Sequence, residues 1–227
     1  MKKGLLALLL AVAMVVPAFA AKGDMEIVGK LGLNLNPNVS ASGEYVRQGA
    51  FKPYYTNSDC DCGVNMSALI GAEFFYYLNK NVALGFGINN NFNADLKGTS
   101  SSYYSGYKID SEIGFTNFYF AVKPKIDLKS EKLNSVYFLG QLGYGLLRFD
   151  STYINSENNK LNLAEVDSNG LYWGIGVGVE IKNFILELLY SVNYGTIKLD
   201  KIIAGDNITA DLTYKTLALN IGYKFSL

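Results

Sequence analysis

From Met25 onward the apolar residues recur at every second position. Met25, Ile27, Leu31, Leu33 and Leu35 share one parity, and Glu26, Lys30, Asn34 and Asn36 share the other. Successive side chains of a strand point to opposite faces, so this spacing predicts a strand with one apolar and one polar face. The same alternation returns at 66–76, 82–88, 117–123, 136–146, 170–181, 184–193 and 216–225, which makes eight predicted strands. The segment from Phe184 is the least regular, because Ile185 and Leu189 interrupt its polar face.

The connections alternate in length. Long polar stretches are predicted as loops at 37–62, 94–110, 150–169 and 195–210, and short connections at 79–81, 127–134 and 182–183. Antiparallel hairpins with tight turns at one end and long loops at the other match an outer-membrane barrel, whose strands need about 10 residues to cross. Both chain ends then lie at the periplasmic, short-turn side.

The choice of inner face separates two kinds of barrel. A soluble eight-stranded barrel fills its interior with apolar side chains. Here the polar-parity face carries mostly Gly, Ala, Ser and Asn with scattered charges, and the other face is a band of Leu, Ile, Val and Phe. Small residues suit a narrow eight-stranded lumen, and eight rows of Leu and Phe would overfill it. The bulky face is therefore expected in lipid, and in hydrocarbon the sheet must close to satisfy its backbone. The expected fold is all-β: an eight-stranded antiparallel up-and-down transmembrane β-barrel. The weaker alternative is a soluble exported ligand-binding barrel.

The first residues read as an address. Lys2 and Lys3 precede the apolar run from Leu5 to Val16, Pro17 breaks it, and Ala18-Phe19-Ala20 fits a small-x-small cleavage site. The expected organisation is a secretory signal peptide over 1–20, cleaved after Ala20, and an outer-membrane barrel domain over 21–227.

Composition narrows the chemistry. The chain has 20 basic and 20 acidic residues and no histidine. A neutral chain has no electrostatic footprint for nucleic acid. Without histidine, Ser-His-Asp, Cys-His and His-metal sites are excluded. No cofactor or metal is expected, and no catalytic residue is assigned. The polar-parity charges are Glu26, Lys30, Glu73, Lys123, Glu180, Glu187 and Lys224. Buried charges must pair, so Glu–Lys pairing across the lumen is expected. An ion network plugging the lumen is preferred over a gate or selectivity element. Aromatic side chains at the strand ends suggest interfacial girdles. Tyr76, Phe184, Tyr223 and Phe225 fall at the periplasmic level, and Phe92, Tyr144, Trp173, Tyr190 and Tyr194 at the outer one. Cys60 and Cys62 form a Cys-x-Cys pair, read as a strained disulfide or as plain thiols, with a metal site ranked last. The stretch from Ser100 to Tyr107, SSSYYSGY, has the composition of an adaptable recognition surface, with a solvated loop slightly preferred.

The stretches EFFYYLNKNVALGFG from Glu73 and GIGVGVEIKNFIL from Gly174, each a strand, a short turn and a strand, resemble small bacterial outer-membrane β-barrel proteins of the OmpA/OmpX/OmpW-like type. The final TLALNIGYKFSL is similar to the C-terminal signal read by the barrel-assembly machinery, with Ser226 and Leu227 after Phe225. The resemblance implies residence in the outer membrane of a Gram-negative-type envelope. It also implies lipid and the assembly machinery as partners, and a monomer. The barrel enzymes of that membrane depend on histidine, so a non-enzyme is expected. The expected role is structural or surface-interacting, with an extracellular ligand or host surface contacted through the loops. The rival reading is a narrow porin-like or OmpW-like conduit for small solutes.

Overall fold

The structure is a computed structural model that describes residues 24–47, 54–96, 108–128, 134–154, 160–162, 164–200 and 207–227. The predicted signal peptide and the SSSYYSGY stretch lie outside the described residues. Every regular element among those residues is a strand: β1 (Met25–Arg47), β2 (Tyr54–Gly63), β3 (Ser67–Asn79), β4 (Val82–Asp95), β5 (Lys108–Asp127), β6 (Ser135–Ile154), β7 (Lys160–Asn162), β8 (Ala164–Ile181), β9 (Phe184–Asp200) and β10 (Asn207–Ser226).

The sheet runs β10-β9-β8-β6-β5-β4-β3-β1, and β10 pairs back onto β1, so eight antiparallel strands close into a barrel. Closure extends to the last residue, where the Leu227 amide donates to the Met25 carbonyl at 2.9 Å. The other two strands are extensions. β2 pairs with β1 over Asn38–Arg47, above the Met25–Asn34 stretch that β3 covers. β7 pairs with the last residues of β6. The tight turns after β3 and β8 lie at the same end as the termini. Lys182, with φ of 56°, takes the left-handed conformation in the two-residue turn between β8 and β9.

Side-chain exposure follows the two faces. Leu31, Ile175 and Ile221 are 65%, 60% and 60% exposed on the outer wall, whereas Glu73, Glu180 and Glu187 are 2%, 1% and 1% exposed inside. The outer wall between the tight turns and about the level of Leu35, Tyr144 and Leu217 is a continuous apolar band. No water could satisfy backbone groups behind such a band in lipid, and the closed ladder leaves none to satisfy.

Two expectations are corrected. Where they are described, the segments predicted as long loops are largely strand: β1 runs to Arg47, β2 occupies Tyr54–Gly63, β6 continues to Ile154 and β9 to Asp200. The pairing continues, but the polarity of the faces inverts. On β10 the outward row of Leu217, Leu219, Ile221 and Tyr223 gives way to Lys215, Thr213 and Asp211, while Tyr214, Leu212 and Ala210 turn apolar groups inward. On β1 and β4 a register shift does the same job. The β1–β10 register slips between Leu35 and Asn38, at Asn36 with φ of 50°, and afterwards Val39 faces in. The β4–β5 register slips between Asn91 and Ala94, and Ala94 faces in. A bulge adds a residue and reverses the faces beyond it. The strands thus leave lipid for water, and the apolar residues change sides with the solvent.

The second correction concerns the lumen, which small residues do not fill alone. Phe75, Tyr119, Tyr137 and Tyr172 point inward and are buried. Each lies opposite a glycine on a neighbouring strand: Phe75 with Gly85, Tyr119 with Gly87, Tyr137 with Gly178 and Tyr172 with Gly143. A Cβ on Gly87 would stand 2.7 Å from the Tyr119 ring, and one on Gly178 would enter the Tyr137 ring. Gly85, Gly87 and Gly178 thus make room for rings that reach into the barrel.

Ile175→Arg, in the middle of the apolar band, is expected to cost about 2–4 kcal/mol. Thr213→Arg, outward but above the band, should stay within about 0.5 kcal/mol of wild type. Urea unfolding from phospholipid vesicles measures both, and equal costs would place the lipid boundary elsewhere.

Candidate functional site: the charged lumen

Seven charged residues from six strands meet inside the barrel in two groups. Nearer the turns, Lys123 of β5 bridges Glu26 of β1 at 2.6 Å and Glu180 of β8 at 2.7 Å. Lys224 of β10 binds Glu180 at 2.7 Å and approaches Glu26 at 3.8 Å, closing a four-membered ring of alternating charge. The Lys123 ammonium also lies between the Phe75 and Tyr137 rings, 5.0 and 4.6 Å from their centroids. The ring faces offer negative charge in a desolvated site.

Above this ring, Lys30 of β1 joins Glu73 of β3 at 2.6 Å and Glu187 of β9 at 2.7 Å. One ammonium thus ties β1 to its neighbour β3 and to β9 beyond β10. These carboxylates and Glu26 are completed by neutral donors. Tyr119 OH and Gln141 Nε2 each donate to Glu73 Oε1 at 2.9 Å. Tyr137 OH donates to Glu187 Oε2 at 2.8 Å, and Asn220 Nδ2 donates to Glu187 Oε1 at 3.0 Å. Tyr77 OH donates to Glu26 Oε2 at 2.9 Å. Such donors are what make a buried ion group tolerable, since its desolvation cost is several kcal/mol per ion.

A neutral polar layer follows. Tyr172 OH donates to Gln141 Oε1, Asn89 Nδ2 to Tyr172 OH at 3.3 Å, and Asn117 Nδ2 to Asn89 Oδ1 at 2.8 Å. Asn34 Nδ2 reaches Ser67 Oγ at 2.8 Å and Asn91 Oδ1 at 3.0 Å. Above it lies an apolar layer that includes Val39, Ile113, Phe115, Leu147, Ile197 and Leu212. The space between Lys30, Glu73, Asn89, Gln141, Glu187 and Asn220 is a cavity of about 10 Å³, at the lower limit for one water.

The sequence-predicted charges Glu26, Lys30, Glu73, Lys123, Glu180, Glu187 and Lys224 are therefore all brought together, and every carboxylate among them contacts an ammonium. Sequence reasoning missed the tyrosines and amides that complete them. Their signal was parity: Tyr77, Tyr119, Tyr137, Gln141 and Asn220 stand at the polar-parity positions of their strands. The arrangement holds charge tightly and presents no open coordination position or free nucleophile. Among the described residues no group of Cys, Asp and Glu is disposed to hold a metal.

The aromatic residues singled out from the sequence sit on the outer wall at its two ends. Tyr76, Phe184, Tyr223 and Phe225 stand at the turn end, where Tyr223 meets Phe184 at 5.3 Å and Phe225 at 4.8 Å between centroids. Phe92, Tyr144, Trp173, Tyr190 and Tyr194 stand at the other, with Trp173 edge-on to Tyr190 at 5.9 Å. Cys60 and Cys62 lie in strand β2 and not in a loop, opposite Ala41 and Val39 of β1; their side chains are outside the described ones.

Lys30→Met leaves Glu73 and Glu187 buried without a cation and should cost about 3–5 kcal/mol. Adding Glu73→Gln and Glu187→Gln should recover most of that loss. Urea unfolding midpoints measure both, and a Lys30→Met cost below about 1 kcal/mol would mean that the cluster is solvated.

A family model for the outer membrane protein beta-barrel domain matches residues 5–225. No curated protein matches the chain. Among solved structures, the chain is similar to the outer membrane protein AlkL in DMPC bilayers, with a TM-score of 0.50 and 17% identity, covering 91% of this chain and 92% of that one. The outer membrane protein OprG from Pseudomonas aeruginosa gives a TM-score of 0.48 at 14% identity, covering 89% and 96%. Ail, the attachment invasion locus protein of Yersinia pestis, gives 0.38 at 16% identity, covering 87% and 99%. At 17% identity the likeness to AlkL is one of fold. With the family match over nearly its whole length and a closed barrel apolar outside and polar within, the chain belongs to the outer membrane protein beta-barrel domain family.

Proposed function

We propose that this protein is a closed, non-catalytic barrel that anchors and presents surface segments, serving a structural or surface-interaction role at the outer face of the outer membrane. The observation that carries this reading is the pair of ion groups around Lys30 and Lys123, which draws charged side chains from six strands into the lumen with Glu26, Lys30, Glu73, Lys123, Glu180 and Glu187 all buried. A conduit needs a continuous polar path, and here the ion groups, the inward rings and the apolar layer above them occupy the section in turn. The opposite end of the barrel carries the strand extensions, with polar residues such as Arg148, Asp150, Asp211 and Lys215 outward.

Planar-bilayer recording tests the sealed lumen. The purified barrel is expected to give no reproducible conductance steps. Steps whose size changes in Glu73→Gln or Lys30→Gln would overturn the plug and favour a narrow conduit. On the same reading the export signal ends at Ala20, so the intact mass of protein extracted from outer membranes should correspond to a chain that starts at Ala21. Retention of residues 1–20 would replace the cleaved signal with an anchor.

A further inference from the structure

Val192 of β9 is buried on the wrong side of the wall. Parity puts it outside: Tyr190 and Tyr194, two residues to either side, are 36% and 39% exposed, while Ser191 and Asn193 between them are buried within. The β9–β10 register runs through this stretch without a shift, so the alternation holds. Yet Val192 is only 2% exposed, and it belongs to neither apolar cluster of the interior. Its cover therefore comes from the outer wall. Among the described residues, those placed to supply it are Trp173 and Lys215, directly across on β8 and β10, and Tyr190 and Tyr194 along β9.

These side chains form a cap with two halves. One is aromatic, with the Trp173 ring edge-on to Tyr190 at 5.9 Å. The other is the exposed Lys215, which faces Val192 on one side and Asn38 of β1 on the other and makes no salt bridge among the described residues. Lys215 is the first outward residue of β10 above Leu217, where the apolar band ends. The cap thus stands at the level of the outer-leaflet headgroups, where amphipathic rings are favoured. The wall of β4, β5 and β6 differs. There Asp95, Glu112 and Asp150 lie side by side above the band, and their carboxylates would repel an anion.

We propose that this cap binds the phosphorylated glucosamine headgroup of lipid A, with a phosphate on the Lys215 ammonium and the sugar ring over the Trp173–Tyr190 pair. An ammonium with three donors and no protein partner suits a phosphate. Trp173 and Lys215 stand two strands apart, about 10 Å between backbones, which spans one hexose and its phosphate. A phospholipid such as phosphatidylglycerol supplies the charge but no ring to lie on the aromatic pair. The burial of Val192 shows that the platform is already folded down before any lipid arrives, so little side-chain freedom is lost on binding.

Trp173 is the chain's single tryptophan, so its emission reports on this cap alone. The test titrates barrels in phosphatidylcholine nanodiscs with lipid A and, separately, with phosphatidylglycerol, following Trp173 emission and counting retained lipids by native mass spectrometry. A saturable emission change with one lipid A per barrel, and none with phosphatidylglycerol, is expected. Lys215→Gln, an exposed change that leaves the rings in place, should raise the half-saturating concentration about five-fold. Lys80→Gln, in the turn at the other end of the barrel, should match wild type. Equal responses to the two lipids overturn the proposal, as does a barrel that retains no lipid A. So does a Lys215→Gln barrel that matches wild type, and lipid A retained without a change in Trp173 emission lies elsewhere and overturns it too. The result does not depend on whether the lumen conducts.

Discussion

An unpaired peptide N–H or C=O in hydrocarbon costs several kcal/mol, and the pairing of β10 with β1 removes that cost for the whole sheet at once. The remaining features answer to this closure. Once eight strands are closed, the outer wall must be apolar and the inner space is narrow. Polar groups placed inside cannot be left to bulk water, because the cavity beside Lys30 and Glu73 has room for about one molecule. They have to satisfy one another.

The ion groups show how that is done. Burying Glu187 or Lys30 alone would be prohibitive, and even a simple pair would barely offset its desolvation. Here Glu26, Glu73 and Glu187 each receive an ammonium and at least one hydroxyl or amide. Glu180 receives two ammonium groups, and Lys123 gains two aromatic faces as well. The Tyr119 and Tyr137 rings, which supply hydroxyls to Glu73 and Glu187, reach them only because Gly87 and Gly178 face them across the strands. Glycine weakens an ordinary strand, since it has no side chain to pack. In this barrel Gly85, Gly87 and Gly178 exchange that loss for the space taken by Phe75, Tyr119 and Tyr137.

Solvent also explains why the barrel continues beyond the band. Above it the outer face meets water and becomes polar, while the interior becomes an ordinary apolar core of Val39, Ile113, Phe115, Leu147 and Ile197. The upper part of this barrel is built like a soluble one and the lower part like its inverse. The bulges in β1 and β4 and the change of residue type on β10 are two solutions to the same change of environment.

The eight-stranded class, the outward direction of the apolar face and the identity of the seven lumen charges were legible in the residue order alone, because period two is a local property of each strand. It could not locate the ends of the strands. The alternation of Tyr214, Leu212 and Ala210 has the same period as that of Leu217, Leu219 and Ile221 but the opposite parity, so without the neighbouring strands it looks like a loss of pattern. The partners of each charge were likewise out of reach. Lys30 and Glu187 are 157 positions apart and meet only because the sheet closes with a definite stagger. The role of the inward tyrosines was decided there too: a hydroxyl becomes a carboxylate's donor only when closure brings a ring, a facing glycine and a charge from a third strand to one height.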